Sequence, residues 1–318
     1  MSWAGETLAE IEEQILATAE ADSTLVTEMA QHIPSAGGKR FRPLLVVGAA
    51  GLGFDAGSPP DDVAVVRAAV TVELTHVASL YHDDVMDEAD VRRGRPSANK
   101  QYDNRLSIMA GDFLFARASS AGALLGIDYV SYQAGTFARL VQGQIAELTG
   151  PAAGVDPVEH HLAVLADKTA SLIATSARFG GMAAGLPSEQ LEALTRFGER
   201  VGVAFQLADD LIDITSDVTG KPSGADLREG VLTLAPLLVL RQARAEDARL
   251  RELLAAPVAP ADLPEALDLM RRHPVIDEVR EEIERRAQEA LAEIAPLPDG
   301  PAKQCLEYLA QAAVRRRS

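Results

Sequence analysis

The sequence predicts an all-α fold, on three observations. Apolar residues recur at helical spacing over nearly the whole chain, with no convincing β alternation. Ala, Leu, Glu and Arg dominate, and these are strong helix formers. Gly and Pro gather mostly between the periodic segments, and no repeat of 20 to 50 residues is present. Taken in order, the elements begin with an amphipathic helix over Met1 to Glu20, carrying Glu6, Glu10, Glu12 and Glu13 and lacking the basic start of a signal peptide. Breaks follow at Ser35-Ala36-Gly37-Gly38, Gly53 to Pro60, Gly94-Arg95-Pro96, Gly150 to Gly154, Gly185-Leu186-Pro187 and Thr219-Gly220-Lys221-Pro222. None of them resembles an interdomain linker. The stretches from about Val63 to Val85 and from about Leu191 to Ile214 have narrow polar faces, which marks central helices. The expected organisation is one helical domain over residues 1–318.

Composition narrows the class. With 47% hydrophobic residues in a chain of 318, a substantial core can form, and a net charge of −17 argues against a general nucleic-acid partner. Cys305 is the one cysteine, so no internal disulfide forms, which fits a reducing compartment. No apolar stretch reaches the roughly 18 residues expected of a spanning helix. The expectation is a cytoplasmic protein, at most peripheral to a membrane.

Two clusters with identical spacing, Asp83-Asp84-x-x-Asp87 and Asp209-Asp210-x-x-Asp213, stand against local energetics. Residues i and i+4 share a helix face, so Asp83 stacks over Asp87 and Asp209 over Asp213, at a cost of a few tenths of a kcal/mol per pair. Both clusters come late in their apolar runs, near helix C-termini, where the dipole disfavours anions. A cation belongs there, and hard oxygen ligands suit Mg2+ holding phosphates. Basic residues group at turns around them: Lys39, Arg40 and Arg42; Arg92, Arg93 and Arg95; Lys168; Lys221. Each alone reads as a solvated surface charge; together they can form an anion site of guanidinium forks and ammonium points. His76 lies two turns before Asp83 on the same face, a spacing that suits a core histidine as well as a ligand contact.

The succession Gly37-Gly38-Lys39-Arg40-Phe41-Arg42-Pro43, His76, His82-Asp83-Asp84-Val85-Met86-Asp87, Arg92-Arg93-Gly94, Lys168-Thr169, Phe205-Gln206-Leu207-Ala208-Asp209-Asp210-Leu211-Ile212-Asp213 and Gly220-Lys221-Pro222 resembles the trans-isoprenyl diphosphate synthases, or polyprenyl synthetases. One Asp-Asp-x-x-Asp is weak evidence, since terpene cyclases share it; two in order, with the other motifs around them, are specific. The resemblance implies a single synthetase domain over residues 1–318, an antiparallel helical assembly around a deep cavity, and a homodimer. It implies head-to-tail condensation of isopentenyl diphosphate with an allylic diphosphate, held by about three Mg2+ ions. On that resemblance Asp83, Asp87 and Asp209 are the direct metal ligands, with Asp84, Asp210 and Asp213 ligating directly or through water. Arg92, Lys168 and Lys221 complete the cage of the allylic diphosphate. Lys39, Arg42, His76 and Arg93 hold isopentenyl diphosphate, and Thr169 and Gln206 face the allylic carbon. Leaving-group charge calls for preorganised cations, and the carbocation for a dry site with oxygen dipoles.

Product length is expected to follow from the residues upstream of Asp83. Ser79 and Ala78 lie four and five positions back, with Thr75, Val72 and Thr71 deeper, where short-chain members typically carry a bulky side chain. A helix of about 25 residues is roughly 38 Å long, which allows a product of roughly six to ten isoprene units. Small residues serve close helix packing equally well, and Tyr132 or Phe137 from a neighbouring helix would make a floor. The expectation is a medium- or long-chain product, with a geranylgeranyl or farnesyl product and a partner subunit of a heteromeric enzyme as the alternatives. Partner subunits usually lose carboxylates, and this chain keeps all six. Two departures from the family pattern are Val231 after Glu229-Gly230, where many members have Lys, and a proline shifted by one position in Thr233-Leu234-Ala235-Pro236.

Overall fold

A computed structural model describes residues 2–215 and 223–314. In chain order the helices are α1 (Trp3–Thr18), α2 (Thr24–Gln31), α3 (Phe41–Asp55), α4 (Asp62–Met86), α5 (Ala98–Gln101), α6 (Asn104–Ala123), α7 (Ile127–Thr149), α8 (Pro157–Leu165), α9 (Ser171–Ala183), α10 (Ser188–Thr215), α11 (Ala225–Glu229), α12 (Leu234–Gln242), α13 (Ala248–Leu253), α14 (Leu263–Arg272), α15 (Val275–Ile294) and α16 (Pro301–Val314). The two central helices expected from the sequence are α4 and α10, each extended by a turn or less. Helix starts follow capping chemistry: Asp61, Asp103 and Asp156 accept from Ala64 N, Leu106 N and Val158 N.

Helical periodicity gave no sign of one element. Val91–Arg92 (β1) pairs antiparallel with Arg95–Pro96 (β2) across a two-residue turn, Arg93-Gly94. Both turn residues have positive φ, 51° and 77°, as the tight hairpin turn that matches strand twist requires. Strands of two residues are too short to show alternation, so only the break at Gly94-Arg95-Pro96 was readable.

The chain divides into two compact units: Met1–Ala138 with Leu172–Gly198 and Pro296–Leu306, and Arg139–Ser171 with Glu199–Ala295 and Glu307–Ser318. In the first, α4 is the central element. Leu74, Val77 and Tyr81 are fully buried with Leu114 and Phe179 in one apolar cluster. The Tyr81 hydroxyl donates to Met29 O at 2.5 Å and accepts from Ile33 N at 3.2 Å. Helix α6 approaches α4 closely at Gly111 and α7 closely at Gly122, because neither glycine carries a Cβ. An atom added at Gly111 would lie 2.4 Å from His82 Nε2, and one at Gly122 would lie 2.6 Å from Gln133 Oε1.

By length and composition α4 could cross a membrane, contrary to the expectation that no stretch would qualify, yet 72% of its most apolar window is buried. Glu73 in that window bonds Arg40, and both features belong to a core helix.

In the second unit the apolar cluster joins Leu207, Leu211 and Ile214 of α10 to Leu238 of α12, Met270 of α14 and Val279 of α15. The shifted Pro236 sits in the first turn of α12, behind Thr233 at the N-cap. Its missing N–H has no helical acceptor to serve there, so the shift is absorbed locally. Val231 is exposed, and its N–H bonds Asp226 O at 2.8 Å.

Candidate active site

In the first unit, Arg40, Arg42 and Arg93 gather around the carboxylate of Glu73, which is 2% exposed. Arg40 precedes α3 in the left-handed conformation. It donates to Glu12 at 2.6 Å, to Glu73 at 2.9 Å and to Pro34 O at 2.9 Å. Burial works against its charge, yet Glu12 and Glu73 hold it above its ordinary value. Arg93, at the hairpin turn, donates to the carbonyls of Ile33 and Gly37, with Glu73 3.9 Å away. Gly38 lets the chain pass this guanidinium, since a Cβ there would lie 3.1 Å from Arg93 Cζ. Arg93 and Arg40 are non-glycine residues at φ of 51° and 47°, a strain of the kind that concentrates at functional sites.

The remaining cations face an environment short of counter-charge. Burial pulls Arg42 down to about 10, with Glu73 raising it and Arg93 lowering it further, and its Nε is buried without a hydrogen-bond acceptor. Arg93 is lowered as well, by burial first. His76 is pushed well below the usual histidine range, first by loss of water and then by Arg42, Arg93, Arg92 and Arg40, so it is neutral at physiological pH. Stripped cations beside a neutral imidazole form a niche for an oxyanion with several acceptors. The structure thus brings Arg42, His76, Arg92 and Arg93 together, and Lys39 is exposed on the loop before Arg40.

The first carboxylate cluster ends α4, with Asp87 as its C-cap, as its position in the apolar run implied. Asp83 is half-buried and Asp87 exposed. Asp84 is fully buried, accepting from Arg92 Nε at 2.6 Å and Ala98 N at 3.4 Å. Its carboxylate therefore ties the end of α4 to β1 and aims Arg92.

The second cluster lies in the last turns of α10, within the second unit. Asp210 is 9% exposed and Asp209 and Asp213 are half-buried. Asp213 accepts from Ala225 N and Asp226 N, both at 3.2 Å, and so braces the start of α11. Lys168 and Thr169 lie in a single π-helical turn, Ala166–Ala170, a distortion that recurs at functional sites. Gly143 of α7 permits that turn, because a Cβ there would meet Lys168 N at 2.6 Å. Lys168 Nζ donates to Glu147. Thr169 Oγ1 donates to Gln206 Oε1 at 3.2 Å, and Gln206 Nε2 donates to Asp210 Oδ1 at 2.9 Å. Lys221 lies outside the described residues.

Sequence reasoning missed four contributors. Glu73 had a signal, as a carboxylate within the apolar run of α4, the same oddity that exposed the clusters. His161, Glu147 and Asp226 had none, because only tertiary structure brings them to the second cluster. Asp226 is raised to about 7, first by burial and then by Asp213, Asp210, Glu229 and Glu147.

Among the described residues no three His, Cys, Asp or Glu side chains are gathered to hold a metal by themselves. The donor chemistry still fits a hard divalent ion. The crowded carboxylates that raise Asp226 call for positive charge, and Mg2+ commonly takes one or two carboxylates and completes its shell with waters and substrate phosphates.

On the face of α4 expected to set product length, Ala78 is fully buried, Ser79 is 9% exposed, and Thr75 and Val72 are at 2% and 1%. Ala78 O lies 3.1 Å from a Cβ placed on Gly111, so Ala78 serves the α4–α6 packing. The Ser79 hydroxyl donates to His76 O at 2.8 Å. Gln133 of α7 donates to Thr75 Oγ1 at 3.3 Å. Phe137 packs on Phe115 at 4.4 Å between ring centroids, and Arg178 lies over Tyr132 at 4.7 Å.

Residues 23–270 match the polyprenyl synthetase family. The chain is 48% identical over 288 residues to the nonaprenyl diphosphate synthase of Mycobacterium tuberculosis, covering 90% of this chain and 85% of that one. Among solved structures it resembles a polyprenyl synthase from Caulobacter crescentus complexed with calcium and isoprenyl diphosphate, at a TM-score of 0.90 and 31% identity over 99% of this chain and 96% of the other. It also resembles the geranylgeranyl pyrophosphate synthase of Corynebacterium glutamicum, likewise complexed with calcium and isoprenyl diphosphate. That match has a TM-score of 0.86 and 38% identity over 98% and 95% of the two chains. The divalent ion in both complexes accords with the carboxylate chemistry above. The chain belongs to the polyprenyl synthetase family: it is a prenyltransferase with the all-α isoprenoid synthase fold, a trans-isoprenyl diphosphate synthase.

Proposed function

We propose that this enzyme condenses isopentenyl diphosphate head-to-tail with an allylic diphosphate, in a Mg2+-dependent reaction giving an all-trans product of roughly six to ten isoprene units, a length scaled to α4. The observation that carries this reading is the oxyanion niche around Arg42, Arg93 and neutral His76, which suits a diphosphate and would leave the isopentenyl double bond free to react. Lys39 at its rim would add a mobile charge. Asp83, Asp87 and Asp209 would hold about three Mg2+ ions with the allylic diphosphate, while Asp84, Asp210 and Asp213 would ligate directly or through water and also brace Arg92, Gln206 and the start of α11. The metal supplies positive charge at the leaving group.

The electron pair of the allylic C–O bond departs with the diphosphate, whose charge Arg92, Lys168 and Lys221 would share. Thr169 and Gln206 would turn oxygen dipoles toward the cationic carbon. The isopentenyl double bond supplies the electrons of the new C–C bond, and the released diphosphate takes the proton lost from the adjacent carbon, so no protein base is required. We further propose that residues 1–318 work as one synthetase domain in the cytoplasm. The exposed stripe Val141, Ile145 and Leu148 on α7, at 39%, 54% and 68%, supports a homodimer, since such stripes suit subunit contacts. The lipid product gives the only expected membrane contact.

The test is incubation of purified protein with Mg2+, isopentenyl diphosphate and a series of allylic primers, followed by sizing of the products. Absence of condensation with every primer sinks the reading. A geranylgeranyl product is the second reading, favoured by the complete burial of Ala78 and near-complete burial of Thr75; it would reject the length and keep the reaction.

A further inference from the structure

The geometry points to His161 as a positioning residue, which clamps Asp210 and through it fixes the orientation of the Gln206 amide at the reacting centre. The inference rests on the condensation reaction proposed above. An amide side chain can turn over, exchanging its oxygen and nitrogen at little cost unless its partners discriminate between them. Here one partner does. Asp210 Oδ1, an acceptor only, takes the hydrogen bond of Gln206 Nε2 at 2.9 Å, which leaves Gln206 Oε1 toward Thr169 at 3.2 Å. If Asp210 rotated, the amide would lose this constraint, and a cation-stabilising oxygen could be exchanged for an N–H.

The other oxygen of Asp210 is what needs holding. Asp210 Oδ2 lies 3.6 Å from His161 Nε2, and the two side chains are each 11% exposed. Both atoms are buried, and neither has a hydrogen-bond partner at this separation. Two buried, unsatisfied and complementary atoms less than 1 Å beyond hydrogen-bond distance form a clasp that shortens when the site is organised. With a proton on Nε2, His161 is the donor that Oδ2 lacks. His161 reaches this place because α8 runs directly into the π turn that carries Thr169. The run Thr169, Gln206, Asp210, His161 thus starts and ends on one continuous stretch of backbone and passes through α10 between.

The experiment compares His161→Leu, which removes the donor, with His161→Gln, which returns an N–H near the same place, in the full-length enzyme with Mg2+. His161→Leu should lower kcat about 10- to 100-fold, the usual effect of losing a partner behind an active-site ligand, with KM for isopentenyl diphosphate unchanged. His161→Gln should recover most of that loss. In a Gln206→Leu background, His161→Leu should have no further effect, because its route to the reaction is gone. Wild-type rates in His161→Leu, equal losses in both His161 variants, or additive losses with Gln206→Leu would each overturn the inference. Nitrogen-15 spectra of the imidazole supply a readout that needs no turnover. An Nε2-protonated His161 that responds to Asp210→Asn upholds the clasp, and an Nδ1-protonated or unresponsive ring overturns it. An enzyme that condenses nothing refutes the proposed reaction, while the spectra still decide the clasp.

Discussion

Replacing Glu73 by Gln isolates what a buried negative charge does inside an oxyanion niche. The Glu73–Arg40 contact of 2.9 Å, at an effective dielectric of about 20, corresponds to a gross attraction of about 6 kcal/mol. Removal of one partner from a buried pair typically costs a net 3 to 5 kcal/mol when the other charge is stranded; Arg40 keeps Glu12 at 2.6 Å, so the cost here falls below about 3 kcal/mol. Glu73 also raises Arg42 and Arg93, so the substitution leaves three guanidinium groups repelling one another with less compensation. The ligand-free protein should therefore melt several degrees lower. A diphosphate brings the missing negative charge, so the variant should bind it more tightly than wild type does. A tenfold gain adds about 1.4 kcal/mol to the ligand-induced stabilisation at saturation. The assay is thermal denaturation with and without isopentenyl diphosphate, at fixed pH and ionic strength. An unchanged ligand-free Tm, or a ligand-induced rise no larger than that of wild type, would falsify the idea that Glu73 stands in for substrate charge.

Asp226 holds a proton up to about pH 7 in the folded state and to about 3.9 when unfolded, so between these values the folded state binds more protons. Its charged form thus costs stability, fully above pH 7 and progressively less as pH falls toward 4. Asp226→Asn should raise the metal-free Tm at pH 8 more than at pH 5.5, and should shrink the Tm increase that Mg2+ gives; equal gains at both pH values would exclude this. Gly143→Ala should force its Cβ against Lys168 N at 2.6 Å, costing about 1 to 3 kcal/mol by overpacking. Its kcat should drop while KM for isopentenyl diphosphate holds, and wild-type kcat would show that the π turn tolerates displacement. Ser79→Phe is the better probe of chain length than Ala78→Phe, since Ala78 is locked against α6. Chromatography of its products should reveal shorter chains, and unchanged lengths would mean that the tail takes another route.

Local pattern made much of this protein legible. The Asp83 and Asp209 clusters and their places at helix ends follow from spacing and dipole, each readable within a few turns of chain, whereas the gathering of Arg42, His76, Arg92 and Arg93 is implied by the family resemblance and not by any local pattern. Asp84 shows where that reading thins, because its spacing is that of a ligand while its oxygens serve Arg92 and Ala98. The hairpin escaped because Val91 and Arg92 are too few to alternate. His161 and Asp226 escaped because their partners lie 49 and 13 residues away on other elements, distances over which periodicity carries no information.

The π turn at Ala166–Ala170 also acts as a fixed angular offset. A helix advances about 100° per residue, and a π bulge amounts to one residue more than the regular spiral accommodates. Deleting Ala166 would restore an ordinary spiral and rotate everything upstream by about that angle relative to Thr169. His161 would then swing away from Asp210, while composition, charge and helix content stayed almost the same. For anyone recombining this enzyme with its relatives, a crossover that gains or loses one residue at this turn would give chains that fold yet have Thr169 and its support out of phase.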